Sequence, residues 1–552
     1  MNRSVNCLSM EGRVRFDREA FYVKKPAFKQ KHIGFLLSKN SFLCKGIPMK
    51  KSYIKKISSL MIGSSMFFSV NAKAEGQLEP HNLPSWLEDK VEAFEADMSA
   101  GGFQSLRGDF HLFTIADCSY AVKSIGHCLG NNPTAPYIIP TLPLWSDEHK
   151  DETMDQLLGP VASGQSWTHR LDHREALVIM GQMPPEARYL GVQPYVFTRK
   201  GELDFGDSLY QSLSDEFMKS ILFMNSPNPT RPLVFSSVGD SVNHVVMKQD
   251  SGTAFGEKRY FIITSDANLG QKITDALMRT GVQDKRHIFT IPVSPSFARL
   301  GLDEAADDFL TLIRYAMPTD EKAGEQWRKD LPIAALRVRD TNDTFIPQPF
   351  AIPQRDVRSA ASELDLSQTV DELVSAVKAK WSQMDAAGSS FESLLLSVDL
   401  VGDACIYRPM NCLGDSSDAD YQISETVTLG NDDVLAVVGT LGTKTSNAAY
   451  TSLSINKIPE LIGVSNLTDL DLENSAAEFS ASVSSTEKLY VQYFARDCSG
   501  LSHCFEVTDD MVARDGRLKL IQRNYVAEGS LRGPDPELLI SPKIIKLKKL
   551  TN

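Results

Sequence analysis

The sequence predicts a mixed α+β fold: an α/β part with at least one βαβ unit, followed by a β-rich C-terminal part. Three observations carry this. The stretch 259–293 reads strand, capped helix, strand. Two dense apolar runs, at 176–180 and 189–198, are separated by Pro184-Pro185. Beyond residue 391, short apolar or alternating runs lie between Gly, Asn and Asp turns, the pattern of successive strands.

The chain begins with two segments that stand outside this fold. Residues 49–74 have the three parts of a secretory signal peptide. Lys50, Lys51, Lys55 and Lys56 precede an apolar run from Ile57 to Val70, and Ala72-Lys73-Ala74 ends it. The run is too short and too rich in serine to span a bilayer, which needs ~20 apolar residues. Cleavage after Ala74 would leave Glu75 first and a periplasmic or secreted protein. Residues 1–48 then read as a non-native upstream extension.

Residues 1–74 hold 15 Lys+Arg and 3 Asp+Glu. The other 478 residues therefore hold 43 basic and 67 acidic residues, a formal charge of −24. Such a surface repels phosphate backbones and anionic headgroups, so nucleic acid is excluded as a partner. No later run is long enough to hold the cleaved protein in a membrane. The basic tail, Lys543, Lys546, Lys548 and Lys549, reads as a solvated end.

Six cysteines remain, in three close pairs: Cys118 with Cys128, Cys405 with Cys412, and Cys498 with Cys504. In an oxidising compartment an even count reads as disulfides. Six cysteines allow 15 connectivities, of which adjacency favours three local loops. None of the pairs has CxxC spacing, which argues against zinc.

The elements follow in order. Trp86, Leu87, Val91 and Phe94 recur at helical spacing, and 110–115 reads as a strand. The runs either side of Pro184-Pro185 read as neighbouring strands. Asp266 can cap a helix running to Thr280, with Leu269, Ile273, Ala276 and Leu277 on one face and Gly281 past its end. Residues 287–293 make the second strand of the βαβ unit. Residues 303–317 are expected to be a helix, with Phe309, Leu312, Ile313 and Ala316 inward, and 331–338 a strand. Pro347, Pro349 and Pro353 mark a linker, and Thr369 with Glu372 offers a capping box. The domain reading is thus α/β at 75–345, a Pro-rich linker and helix at 346–390, and a β-rich domain at 391–552. No repeat of solenoid type is present.

Four blocks occur in order: Gly181-Gln-Met-Pro-Pro-Glu-Ala-Arg-Tyr189, Gly239-Asp-Ser-Val-Asn243, Ile263-Thr-Ser-Asp-Ala267 and Asp497-Cys-Ser-Gly500. Together they resemble a group of uncharacterised exported proteins over roughly residues 105–505. The resemblance implies one evolutionary unit and brings no catalytic residue with it. That group has an Asn-His pair where this chain reads Thr440-Leu441-Gly442.

One enzyme reading comes from Gly239-Asp-Ser241, which follows a strand and resembles the first block of GDSL/SGNH esterases. Ser241 would be the nucleophile, His287 and Asp284 its base and orienter, and Asn243 an oxyanion donor. The Asp-x-x-His lies only 46 residues after Ser241, and Gly-Asp-Ser also favours a plain turn. Arg188 and Tyr189 could bind a carboxylate or sugar, against the reading of a salt bridge beside core aromatics. Asp266, heading a helix after a strand, marks a place where ligands bind in α/β sheets, or is an ordinary cap. His169 and His173 lack the helix and third ligand that zinc requires. No cofactor or metal is implied. The reading is an exported, disulfide-stapled binding or envelope-associated protein for a small molecule or envelope component, with a serine hydrolase as the alternative.

Overall fold

The computed structural model describes residues 82–548 except 134, 343, 353–354, 382–383, 391 and 394–400. The upstream extension and signal segment, residues 1–74, lie outside these. The described chain falls within one compact unit. It is a mixed α+β structure made of two repeats of one ten-strand path.

The first repeat has strands β1 (Phe103–Arg107), β2 (Asp109–Phe113), β3 (Tyr137–Pro143), β4 (Glu175–Gln182), β5 (Ala187–Thr198), β6 (Leu233–Ser237), β7 (Lys258–Thr264), β8 (Ile288–Pro292), β9 (Asp308–Pro318) and β10 (Ile333–Asp340). The second has β11 (Met384–Ser390), β12 (Glu392–Ser393), β13 (Ala419–Ile423), β14 (Asp433–Thr440), β15 (Tyr450–Ile458), β16 (Ile462–Thr468), β17 (Leu489–Ala495), β18 (Cys504–Glu506), β19 (Arg517–Tyr525) and β20 (Lys543–Lys548). Each repeat folds into two sheets. The outer sheets run β1-β10-β4-β7-β8 and β11-β20-β14-β17-β18. The inner ones run β2-β3-β9-β5-β6 and β12-β13-β19-β15-β16, with short two-residue additions. Every strand of one repeat has its counterpart ten strands later. In both outer sheets the last pair alone is parallel, β7 with β8 and β17 with β18.

Each repeat opens with a helix on its outer sheet. In α1 (Ser85–Ala100) Leu87, Val91, Phe94 and Met98 are buried, at the expected spacing. In α5 (Ser367–Lys380) Val370, Leu373 and Val377 are. The expected capping box at Thr369 and Glu372 does not form. The helix already begins at Ser367, and Glu372 accepts from Gln368 instead. The linker helix of the sequence reading is therefore the first element of the second repeat.

The βαβ unit is present: β7, then α4 (Ala267–Arg279), then β8. Three further expectations fail. Residues 308–318 form β9, a strand paired on both sides with β3 and β5. It is buried on both faces by neighbouring layers, which erases the alternation a strand otherwise carries. And β4 and β5 are not neighbours, for the Pro184-Pro185 turn takes the chain from the outer to the inner sheet. The basic tail is not a free end over its described part either: Lys543–Lys548 is β20, paired with both β11 and β14, while Lys549 lies outside the described residues.

The three disulfides form as expected, Cys118–Cys128, Cys405–Cys412 and Cys498–Cys504. The first two are equivalent. Each ties a helix, α2 (Cys118–Ile125) or α6 (Val401–Tyr407), to an arm that reaches the other repeat. Cys128-Leu-Gly-Asn131 lies along the start of β16, with Cys128 N–H on Glu460 O and Gly130 N–H on Leu461 O. Cys412-Leu-Gly-Asp415 lies along β6, on Val234 O and Phe235 O. Gly130 and Gly414 both need positive φ, 74° and 65°, to turn there. Arg523 in β19 donates to Gly130 O at 3.0 Å, and its counterpart Arg314 in β9 donates to Gly414 O at 2.7 Å. Such reciprocity is what a two-fold interface requires. Among the described residues no helix is long and apolar enough to cross a membrane.

Candidate cleft between the repeats

The inner sheets of the two repeats face one another through tyrosines. Tyr189 in β5 donates to both carboxylate oxygens of Asp418 at 3.0 Å, and its ring lies 4.5 Å from that of Tyr525. Burial, with Asp418 alongside, pushes its hydroxyl well above the usual tyrosine pKa. Tyr189 is thus a buried strut between the repeats.

Arg188, one residue earlier, points the other way and is 37% exposed. Its Nη1 donates to Asp469 Oδ2 at 3.0 Å and to Ala449 O at 3.3 Å, both in the second repeat. Asp469 is buried. Burial lifts its carboxyl above the ordinary value, and Arg188 pulls it back. Beside Arg188 opens a cleft of about 580 Å³, within the ~300–1,000 Å³ of small-molecule sites. Arg188, His244, Lys248 and Phe255 line it from the first repeat, Ala449 and Glu528 from the second.

His244 comes to this cleft because Asn243 stops a strand and starts a helix. Residues 242–243 extend the inner sheet along β5. The Asn243 side chain accepts from Val245 N–H and Val246 N–H, capping α3 (His244–Ser251), and its amide donates to Leu531 O at 3.1 Å. His244 is the first helical residue. It is 7% exposed, and its Nδ1 is buried without a hydrogen-bond partner. Burial lowers its pKa, the Asp418 carboxylate and the Leu190 carbonyl offsetting part of the effect. Lys248, one turn on, pairs with Glu528 at 2.7 Å.

The other candidates lie elsewhere. Ser241 sits in the turn that interrupts β6 before residues 242–243. Its N–H donates to Ser417 Oγ at 3.0 Å, while its own hydroxyl is buried with no hydrogen-bond partner. His287 closes a one-turn helix, and Asp284 caps that turn and pairs with Arg286 at 2.7 Å. The Arg286 hydrogen bonds lower the Asp284 carboxyl to about 2. Asp266 caps α4 as expected, accepting from Leu269 N–H at 2.8 Å. Its other oxygen accepts from Gln348 N–H, so the chain itself covers this helix start. His169 is buried in a β-bridge with Phe309. Among the described residues no three His, Cys, Asp or Glu side chains group to hold a metal.

Sequence reasoning missed His244, Phe255, Ala449 and Glu528. A signal for the relation behind them was there. Glu175-Ala-Leu-Val-Ile-Met-Gly181 matches Asp433-Val-Leu-Ala-Val-Val-Gly439, and Cys128-Leu-Gly matches Cys412-Leu-Gly. No protein-family model matches the chain, and no curated protein matches it.

Proposed function

We propose that the protein is exported and acts as a binding protein, its ligand lodging in the cleft between Arg188 and Glu528. The observation that carries the reading is the cleft itself. It joins both repeats, its volume suits a small molecule, and it offers a part-exposed guanidinium, an aromatic ring and a histidine whose Nδ1 has no hydrogen-bond partner. Three disulfides fit an oxidising compartment and an apolar run ending in Ala72-Lys73-Ala74 fits a secretion signal. The test is a thermal-shift screen of the protein from Glu75 against metabolite and envelope-fragment libraries, repeated on Ala449→Trp. Hits that vanish when the bulky ring fills the cleft are expected. Hits that persist would place binding elsewhere.

The second reading, a serine hydrolase at Ser241, draws on its buried, unpartnered hydroxyl. No acceptor lies within hydrogen-bond reach of that oxygen among the described residues, so the base would have to arrive with substrate. Fluorophosphonate labelling that is lost in Ser241→Ala would favour this reading over the first.

A further inference from the structure

The cleft has a counterpart across the two-fold relation of the repeats, and the counterpart is filled. Arg314 pairs with Gly191 and Arg523 with Ser452, so Arg188 in β5 is equivalent to Ala449 ahead of β15. Gly191 pairs with Asn243 and Ser452 with Thr468, so His244 is equivalent to Asp469. Each of those two residues opens a helix behind its cap, α3 in the first repeat and α7 (Asp469–Leu472) in the second. On one side of the axis, Arg188 lays its guanidinium on the Asp469 carboxylate. On the other, the same two positions hold Ala449 and His244, and the cleft lies between them. Ala449 ends at its Cβ, and His244 takes the place of the carboxylate.

We infer that the cleft takes the cationic head of a small organic ligand, an amine or guanidinium, where Arg188 sits on the opposite side. This rests on the binding reading above and names its ligand class. The head would donate to the His244 ring, whose neutral form offers one acceptor nitrogen. Burial favours that neutral form. The charges of the lining point the same way. Arg188 is matched by Asp469, and Lys248 by Glu528. Glu186, also in the lining and close enough to act on Lys248, adds a second carboxylate to a wall whose two cations are each already paired. Phe255 offers an aromatic face, which attracts a cation. An apolar or aromatic body could then extend into the open mouth.

The experiment uses the disulfide-intact protein from Glu75 and three probes of matched shape at fixed ionic strength: phenethylamine, 2-phenylethanol and phenylacetate. Calorimetry and thermal shift should find phenethylamine bound at least about tenfold more tightly than the other two, a difference of ~1.4 kcal/mol. Ala449→Arg with His244→Asp should rebuild the second Arg–Asp pair. That double variant should melt no lower than the parent and lose the amine. Preference for phenylacetate or phenylethanol would overturn the cation proposal and leave the binding reading standing. Amine binding unchanged in the double variant, at an unchanged melting temperature, would overturn it too. If none of the three probes bound, and the library screen against the parent were also empty, the binding reading itself would fall.

Discussion

In the first repeat Arg337 is sealed between Glu175 and Glu148, all three side chains at 0–1% exposure, under the ring of Trp145. The equivalent place in the second repeat holds Asp433 with Lys546 and Lys548, and both lysines lie partly in water. Position, strand and sign of charge agree. The covering differs: residues 144–174 join β3 to β4 in the first repeat, and only 424–432 make the same connection in the second. A duplicated path thus keeps its ion pair while chain added to one copy turns an exposed pair into a buried one. The consequence for stability is steep, because an ion pair in water contributes little and a broken buried one leaves charge without a partner.

The largest expected effect follows from that difference. Arg337→Met should cost about 3–5 kcal/mol, since it leaves two buried carboxylates facing one another. Lys546→Met should cost less than about 1 kcal/mol, with Lys548 still on Asp433. Urea unfolding of both variants followed by tryptophan fluorescence checks this. Similar losses at the two sites would mean that the covering segment contributes nothing to the pair.

The repeats also differ between their sheets. The first fills this layer with Ile138, Leu190, Ile313 and Tyr315. At the same register positions the second has Gln422, Thr451, Gln522 and Asn524, all buried. Asp420 stands where the first repeat has Pro136, and both its carboxylate oxygens are buried. Burial is the main cause that raises its pKa to about 7, Arg358 opposing and Glu363 adding to the rise. The sign is the reverse of an ordinary salt-bridged carboxylate. The folded state holds the proton more tightly than the unfolded one, so this group's contribution is intact below pH 4. It is lost progressively as pH rises to about 7. Asp420→Asn should therefore match the parent near pH 4 and exceed it by roughly 2–4 kcal/mol at pH 8. Urea midpoints at the two pH values test this. A parent and variant with parallel pH dependence would show that Asp420 does not titrate in this range.

The same comparison explains what could be read from the chain. Helix α1, the βαβ unit and the disulfides were legible because their signals are local: an apolar stripe, a capping Asp266, cysteines ten residues apart or fewer. Strand β9 was not. Phe309, Ile313 and Tyr315 face one layer and Leu310, Leu312 and Ala316 the other, and because both faces are buried the apolar positions fall by chance at helical spacing. The pairing of strands across layers was equally hidden, since Pro184-Pro185 marks a turn and does not say which sheet the chain enters. The cleft draws on residues near 188, 244–256, 449 and 528, and nothing local joins them. The sequence left Arg188 between a ligand contact and a salt bridge beside core aromatics, and the structure pairs it with Asp469, 281 residues away. That partner becomes visible only once the repeats are aligned.

The smallest expected effect lies where the copies are most alike, in the two arms. Asn131 Oδ1 accepts from Gly463 N–H at 3.1 Å, and Asp415 Oδ1 from Ser237 N–H at 2.8 Å. Asp415 alone takes a second bond, from the Ser237 hydroxyl at 2.6 Å, because Gly463 has no side chain to offer one. Burial raises the Asp415 carboxyl, and the Ser237 bonds lower it again. Asn131→Asp keeps the acceptor on Gly463 and sets a carboxylate near Arg523, which already leans on the Gly130 and Asn131 carbonyls. That change should shift stability by less than about 1 kcal/mol. Asp415→Asn gives up a charge-assisted bond and should cost about 1–3 kcal/mol. Melting temperatures of the two variants would rank them. If Asn131→Asp proved the costlier, the first arm would be tuned to a neutral side chain, and the arms would share a path without sharing an electrostatic role.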